Sequence, residues 1–263
     1  MLTIENTGQR NVIEVDQDSA ETMGGSVVLT GDDNHLVIGP GCRSHDGLRL
    51  ELGSNSSIRL DGRTTLGNLF VHAPQDGHLH VGLDSGFNGA VRILMHEPGR
   101  VEIGNGSLFA GEIDITVSDM HSIIDATTEK RINPPADIAI GNRVWVGQRS
   151  MVLKGSQIGD GTVVGAMSLV RGPLPGNSIC AGTPARVVRS GVTWRFNLLP
   201  WEPAVVADEP PAEPGAAHPV DADAEDVPPP TWLRRTARGA LNRLRAAGRA
   251  FRGDPKPMPR PDR

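Results

Sequence analysis

From Ile140 the chain places an aliphatic residue at every sixth position: Ile140, Val146, Val152, Ile158, Val164 and Val170. Glycine follows at Gly141, Gly147, Gly159 and Gly165, and a small or β-branched residue stands four places on, at Val144, Ser150, Ser156, Thr162 and Ser168. Six residues are too few for a helix and a connection, but enough for one short strand and one corner. Glycine supplies the backbone angles that a sharp corner demands. An aliphatic residue at the same place in each hexad stacks on its equivalent in the next coil, at the β spacing of about 4.8 Å. Three flat faces per coil then enclose a triangular column that no single coil could stabilise alone.

The first hundred residues carry a weaker version. Hexads start at Ile38-Gly39, Leu52-Gly53, Val81-Gly82 and Ile103-Gly104, and runs such as Leu48-Arg49-Leu50-Glu51-Leu52 and Ser57-Ile58-Arg59-Leu60 alternate as strands do. Irregular coils of the same solenoid over residues 1–100, continued by regular hexapeptide coils over 101–190, are the expectation. A separate β-sandwich over 1–100 is the alternative.

Four motifs carry a resemblance: Asp119-Met120-His121-Ser122-Ile123-Ile124-Asp125 with Arg131-Ile132-Asn133-Pro134; Ile140 to Gly147; Val163-Val164-Gly165-Ala166-Met167-Ser168; and Ala181-Gly182-Thr183-Pro184-Ala185-Arg186. In order and spacing, residues 119–190 resemble the hexapeptide-repeat acyltransferases, in particular the polysaccharide O-acetyltransferase type. Thr183, where Asn is commoner, and Met120, where many relatives carry a polar residue, depart from the pattern. The resemblance implies an all-β fold, a left-handed parallel β-helix, against the usual right-handed crossover rule. It also implies a homotrimer with active sites between neighbouring columns, acetyl-CoA as cosubstrate, and a carbohydrate acceptor.

The chemistry centres on His121. A sugar hydroxyl does not ionise at neutral pH, so a positioned imidazole must take its proton during attack on a thioester. His121 opens an excursion, residues 119–137, after the strand-like run Ile113-Asp114-Ile115-Thr116-Val117. Asp119 and Asp125 are the local carboxylates that could orient its ring, with loop capping as the other reading of each. Carried over from the family, Trp145 and Gly147 lie near the pantetheine arm and Ala166 contacts it. Arg171, Arg186 and Arg189 reach the nucleotide phosphates, where a guanidinium fork donates two hydrogen bonds. Packing is the alternative for Trp145, and a solvated charge for Arg189. Lys154 reads as solvent-facing. His78-Leu79-His80 places two rings on one side of a strand, but without the three-histidine spacing of β-helical zinc enzymes; a solvated face is expected, and no metal is required. A non-catalytic β-helical scaffold, or acetylation of a small molecule or amino sugar, are the competing functions.

Composition refines this picture. With 32 glycines, 21 prolines, 3% aromatics and no tyrosine, the core must be aliphatic and rich in corners. A net charge of −5 argues against nucleic acid as a partner. Cys42 and Cys180 offer neither a disulfide framework nor a zinc spacing. The N-terminal residues lack a signal-peptide pattern and no run is long enough to span a bilayer, so a cytoplasmic protein is expected. Beyond the column, residues 191–202 read as a short helix or turn packing on the last coil. Residues 203–231 are acidic, proline-rich and linker-like. Residues 232–252 hold seven arginines and no acid, and are expected to form a basic amphipathic helix suited to the inner face of an anionic membrane, with a partner protein or the linker as alternatives. Residues 253–263 are expected to be a disordered tail.

Overall fold

Each hexad turns the chain through one face of a three-sided column. The computed structural model describes residues 1–44 and 47–200. The acidic linker, the basic helix and the tail expected beyond residue 202 lie outside the described residues. The six-residue series is dealt out to three faces in turn. Ile140 pairs with Ile158 on one face, Val146 with Val164 on the next, and Val152 with Val170 on the third. One regular coil is therefore eighteen residues.

The stacks run on without a break into the N-terminal half. Val15, Ile38, Leu60, Val81, Ile103, Ile140, Ile158 and Leu174 follow one another in parallel register up one face. Val27, Leu50, Val71, Ile93, Ile115, Val152 and Val170 form the second stack. The third holds Leu66, Phe87, Phe109, Val146, Val164 and Cys180, with the Phe87 and Phe109 rings stacked at 4.7 Å. The fold is a left-handed parallel β-helix. No sandwich interrupts it: every described strand belongs to one of two sheets, and the larger sheet wraps two faces through the long strands Thr65–Gln75 and Gly86–Leu94.

The N-terminal coils differ from the hexad pattern in length. Register steps there are larger, as from Leu2 to Gly25, from Leu48 to Leu69 and from Leu69 to Val91. The longer coils carry longer strands, such as Gly77–Val81 against Gln157–Ile158 on the same face. Ile38, Val81 and Ile103 begin equivalent hexads, whereas Leu52 lies on a different face, in register with Leu29.

The small position of the hexad has a specific task. Ser150, Ser156, Thr162 and Ser168 are buried. Their hydroxyls serve backbone groups of the neighbouring coil: Ser150 Oγ donates to Gly165 O at 3.1 Å, Ser156 Oγ to Val170 O at 3.2 Å and Thr162 Oγ1 to Pro175 O at 2.7 Å. Ser56, Ser85 and Ser107 do the same in the longer coils. A corner carbonyl cannot join a strand ladder, and burying it unpaired would be costly.

One short helix, Gln17–Thr22, was not expected; Asp16 caps it by accepting from Ser19 N. Residues 191–200, expected as a short helix or turn, form no helix. They are held by tertiary contacts instead: Val192 N donates to Asn177 O, while Trp194 and Arg143 exchange two hydrogen bonds. The final parallel strand, Ser178–Gly182, is covered by the antiparallel strand Ala185–Ser190. Among the described residues no helix is long and apolar enough to cross a membrane. Cys42 and Cys180 are free and buried.

His78 and His80 are not a bare solvated face. His78 Nδ1 lies 2.9 Å from Ser57 Oγ, and His80 sits between Glu102 (2.9 Å) and Asp61 (2.8 Å). The Glu102 hydrogen bond, with help from Asp61 and against burial, raises the His80 pKa. Because the folded value lies above the unfolded one, this contribution to stability is complete below about 6.5, the ordinary histidine value, and is lost as pH rises through the raised value. Thermal unfolding of wild type and His80→Gln across pH 5 to 9 should show a slope in that window only for wild type; equal profiles would exclude it. In the core, Ile140→Ala should cost about 2–5 kcal/mol in chemical denaturation, while the exposed Gln157→Ala should stay within about 0.5 kcal/mol.

Candidate active site

The strand Ile113–Thr116 carries inward Ile113 and Ile115, and Val117 completes its buried row. The chain then leaves the column, and regular pairing resumes at Ile138–Ile140. The excursion folds back on itself: Ile124 and Arg131 form an antiparallel bridge, and Ile132 N donates to Ile123 O. Asp125 closes its tip by accepting from Thr127 N, Thr128 N and the Thr128 hydroxyl.

Asn133 ties the excursion to its root. Its amide is 7% exposed and donates to Asp119 Oδ2 and to His121 O, both at 2.8 Å, while its oxygen accepts from Ile123 N at 2.7 Å. Lys154, from the next coil, adds a 2.5 Å ion pair to the same Asp119 oxygen and donates to the Asn133 and Pro134 carbonyls. A second anchor lies beside it. Arg131 grips Glu97 through two bonds of 2.6 and 2.7 Å, and the Ser118 hydroxyl also donates to Glu97. Arg131 first, then Ser118, pushes the Glu97 pKa down to about 2.

His121 is exposed at the head of this braced segment, its backbone N donating to Asp119 O at 2.7 Å. The turn is set by Met120, which takes a left-handed φ of 62°. Asparagine tolerates that conformation better than methionine, which is a physical reason for a polar residue there. Among the described residues, none donates to or accepts from the His121 ring. Asp119 is held ionised by Lys154 and Asn133, and both of their bonds fall on Oδ2. Asp125 is engaged in its own turn, whose Thr128 contacts lower its pKa. Lys154 is not free in solvent, contrary to expectation.

The residues expected around the coenzyme lie along the regular coils. Gly147 N donates to Val164 O at 2.8 Å, and a Cβ on Gly147 would come within 2.6 Å of Ala166 N, so backbone meets backbone closely there. Ala166, Arg171, Arg186 and Arg189 are exposed. Trp145 is 39% exposed and lies 6.0 Å, centroid to centroid, from Trp194, which meets Phe196 edge-on at 4.8 Å. Sequence reasoning missed Glu97, Ser118 and Lys154 as anchors. Their partners lie 21 to 35 residues away in the chain, and only the coil length brings them together.

The model of the bacterial transferase hexapeptide (six repeats) matches residues 137–172, the stretch that stacks in eighteen-residue coils. Over those residues the chain is similar to the hexapeptide repeat of bacterial transferases. WbbJ of Escherichia coli strain K12, named for O-acetyl transfer in lipopolysaccharide biosynthesis, is 38% identical over 112 residues, which are 40% of this chain and 56% of WbbJ. The solved polysialic-acid-specific acetyltransferase NeuO superposes with a TM-score of 0.66 at 25% identity over 74% of this chain and 83% of that one. The polysialic acid O-acetyltransferase OatWY gives a TM-score of 0.61 at 25% identity, over 76% and 93%. Against the first curated relatives, this hexapeptide-repeat chain spans between 31% and 57% of their length.

Removing the Asn133 amide should free the excursion without disturbing the column. Asn133→Ala loses four hydrogen bonds, to Asp119, His121, Ile123 and Arg131, each worth about 0.5–1.5 kcal/mol. Hydrogen exchange over residues 119–133 should accelerate at least ten-fold, roughly the effect of 1.4 kcal/mol, while 138–170 stays protected. Unchanged exchange in 119–133 would refute the anchoring role.

Proposed function

We propose that this chain is an acetyl-CoA-dependent O-acetyltransferase whose acceptor is a hydroxyl of a surface-polysaccharide or lipid-linked sugar. The observation that carries the reading is the pairing of an exposed imidazole with a heavily braced backbone. A surface loop of no consequence needs neither Asn133 nor two ion pairs. The names of the relatives, acetyltransferases acting on polysaccharides, support the reaction class and the acceptor.

In this reading His121 is the general base. Its unprotonated nitrogen takes the acceptor proton as the hydroxyl oxygen attacks the thioester carbonyl carbon. The tetrahedral intermediate then expels the thiolate, which recovers the proton from the imidazolium. Asp119 is the better candidate to stabilise that imidazolium, because it is ionised and Oδ1 is not used by Lys154 or Asn133. Asp125 serves the turn. The acetyl-CoA arm carries two amides and fits the backbone-lined surface at Gly147 and Ala166, beside the exposed edge of Trp145. Arg171, Arg186 and Arg189 stay exposed for the nucleotide phosphates.

The excursion also bears a patch that water tolerates poorly. Met120, Ile123, Ile124 and Ile132 are all about half exposed. A second copy of the chain packed on this patch would bury it and wall in the imidazole, in keeping with a homotrimer. Contact with the inner face of a membrane is the role proposed for residues 232–252.

His121→Ala should lower kcat by about 10²–10⁴ in a thiol-release assay with acetyl-CoA and a glycan acceptor, with an unchanged melting temperature. A variant as active as wild type would remove His121 from the chemistry.

A further inference from the structure

The longer N-terminal coils hold a second concave site. Val28 and Thr30, then Glu51, Leu52 and Gly53, then His72 and Pro74, from three successive coils, line an open groove of about 340 Å³. The outward Val28 and Pro74 give it apolar walls. Its polar groups are set firmly. Glu51 accepts from Arg49 Nε at 2.7 Å and lies 2.8 Å from His72 Nδ1, which fixes the imidazole and leaves Nε2 for another partner. The His96 ring stands 4.9 Å from the His72 ring. Thr30 is exposed at the rim, its hydroxyl donating to Leu52 O at 3.5 Å. Apolar walls with a few fixed hydrogen-bonding groups suit a pyranose, which has a C–H face and a rim of hydroxyls.

Its position matters as much as its lining. His72 pairs with Leu94, and Leu94 with Thr116, in unbroken parallel register. Each step is one strand spacing, so His72 lies roughly 10 Å along the column from Thr116. Three residues after Thr116 the chain reaches Asp119 and the excursion that carries His121. Cavity and imidazole are thus served by one face of the column, with His96 and Ser118 between them.

We propose that this cavity binds a sugar ring of the acceptor a few units away from the ring whose hydroxyl reacts at His121. The inference rests on the acetyl-transfer reading for its biological sense, but the cavity can be tested without turnover. It makes the enzyme a reader of acceptor length: an oligosaccharide engages both sites, whereas a monosaccharide engages one.

The experiment uses the full chain, with maltohexaose, chitohexaose and an α2,8-linked sialic acid hexamer as probes, and the corresponding monosaccharides. Calorimetric titration without acetyl-CoA should detect binding of at least one hexamer. Val28→Trp, which fills the cavity, and His72→Ala, which removes its fixed nitrogen, should each weaken that binding at least about ten-fold. In turnover, the same variants should raise the KM for the hexamer toward that of the monosaccharide and leave kcat unchanged. Melting temperatures identify any variant that has lost its fold; the Thr30→Arg variant, at an exposed wall position, then takes its place. Hexamer binding that all these variants leave intact, or no hexamer binding at all, overturns the cavity assignment. Binding that the variants abolish, in a protein that acetylates none of the probes, overturns only the acetyl-transfer reading.

Discussion

Every coil of this column is finished by the coil above it. The backbone of one turn hydrogen-bonds to the next along three faces, and at the corners a buried serine or threonine hydroxyl reaches across to a carbonyl that no strand can serve. This constraint explains the sequence. The inward aliphatic must recur in register because it packs on its own counterpart. The glycines after Ile140 and Val146 must lack a side chain because the neighbouring coil lies under 3 Å from where a Cβ would be. The residue four places on must be small and, in most coils, hydroxylated. Stability accumulates by nearest-neighbour contacts, so an interior with few aromatic residues suffices.

Against that regular support, the 119–137 excursion is held by different means. It contributes little to the stacked core; its apolar residues face outward, and its attachments are ionic or amide-based. Glu97–Arg131 and Asp119–Lys154 are partly exposed pairs, and pairs of that kind stabilise weakly one by one. Together with Asn133 they fix where the backbone of His121 runs, although none touches its ring. The support specifies position more than it adds stability, which is what the proposed role of His121 as general base requires.

How far the sequence could be read follows from the same geometry. Residues 140–170 were legible because their coils have no insertions, so spacing in the chain equals spacing in the column. The N-terminal coils matched only in style because they are longer, and a six-residue window drifts from face to face along them; Leu52 and Val81 look equivalent in sequence and are not. Lys154 read as solvent-facing because its partner, Asp119, is 35 residues away, nearly two coils of regular repeat. The His78-Leu79-His80 alternation was read correctly as one strand face, but its partners Ser57, Asp61 and Glu102 come from adjacent coils, beyond any local pattern. Trp194 could be expected to pack on the last coil from its composition, but not to meet Trp145.

Coil length has one more consequence. Longer strands on two of the faces, as in Gly77–Val81 against Gln157–Ile158 and Leu48–Ser54 against Leu169–Val170, widen the column, and a wider column needs more hydrocarbon to fill it. The described interior leans this way: every buried phenylalanine and most of the buried leucines, among them Leu29, Leu50, Leu66, Phe87 and Phe109, lie in the longer coils, while the regular coils are filled mostly by valine and isoleucine, such as Ile140, Val146, Val152, Ile158 and Val164. The described column is therefore wider at its N-terminal coils than at its regular ones. A turn transplanted from the broad end to the slim end would overfill its slot, and the reverse exchange would leave a void, even though both sets of side chains are aliphatic and both backbones would pair.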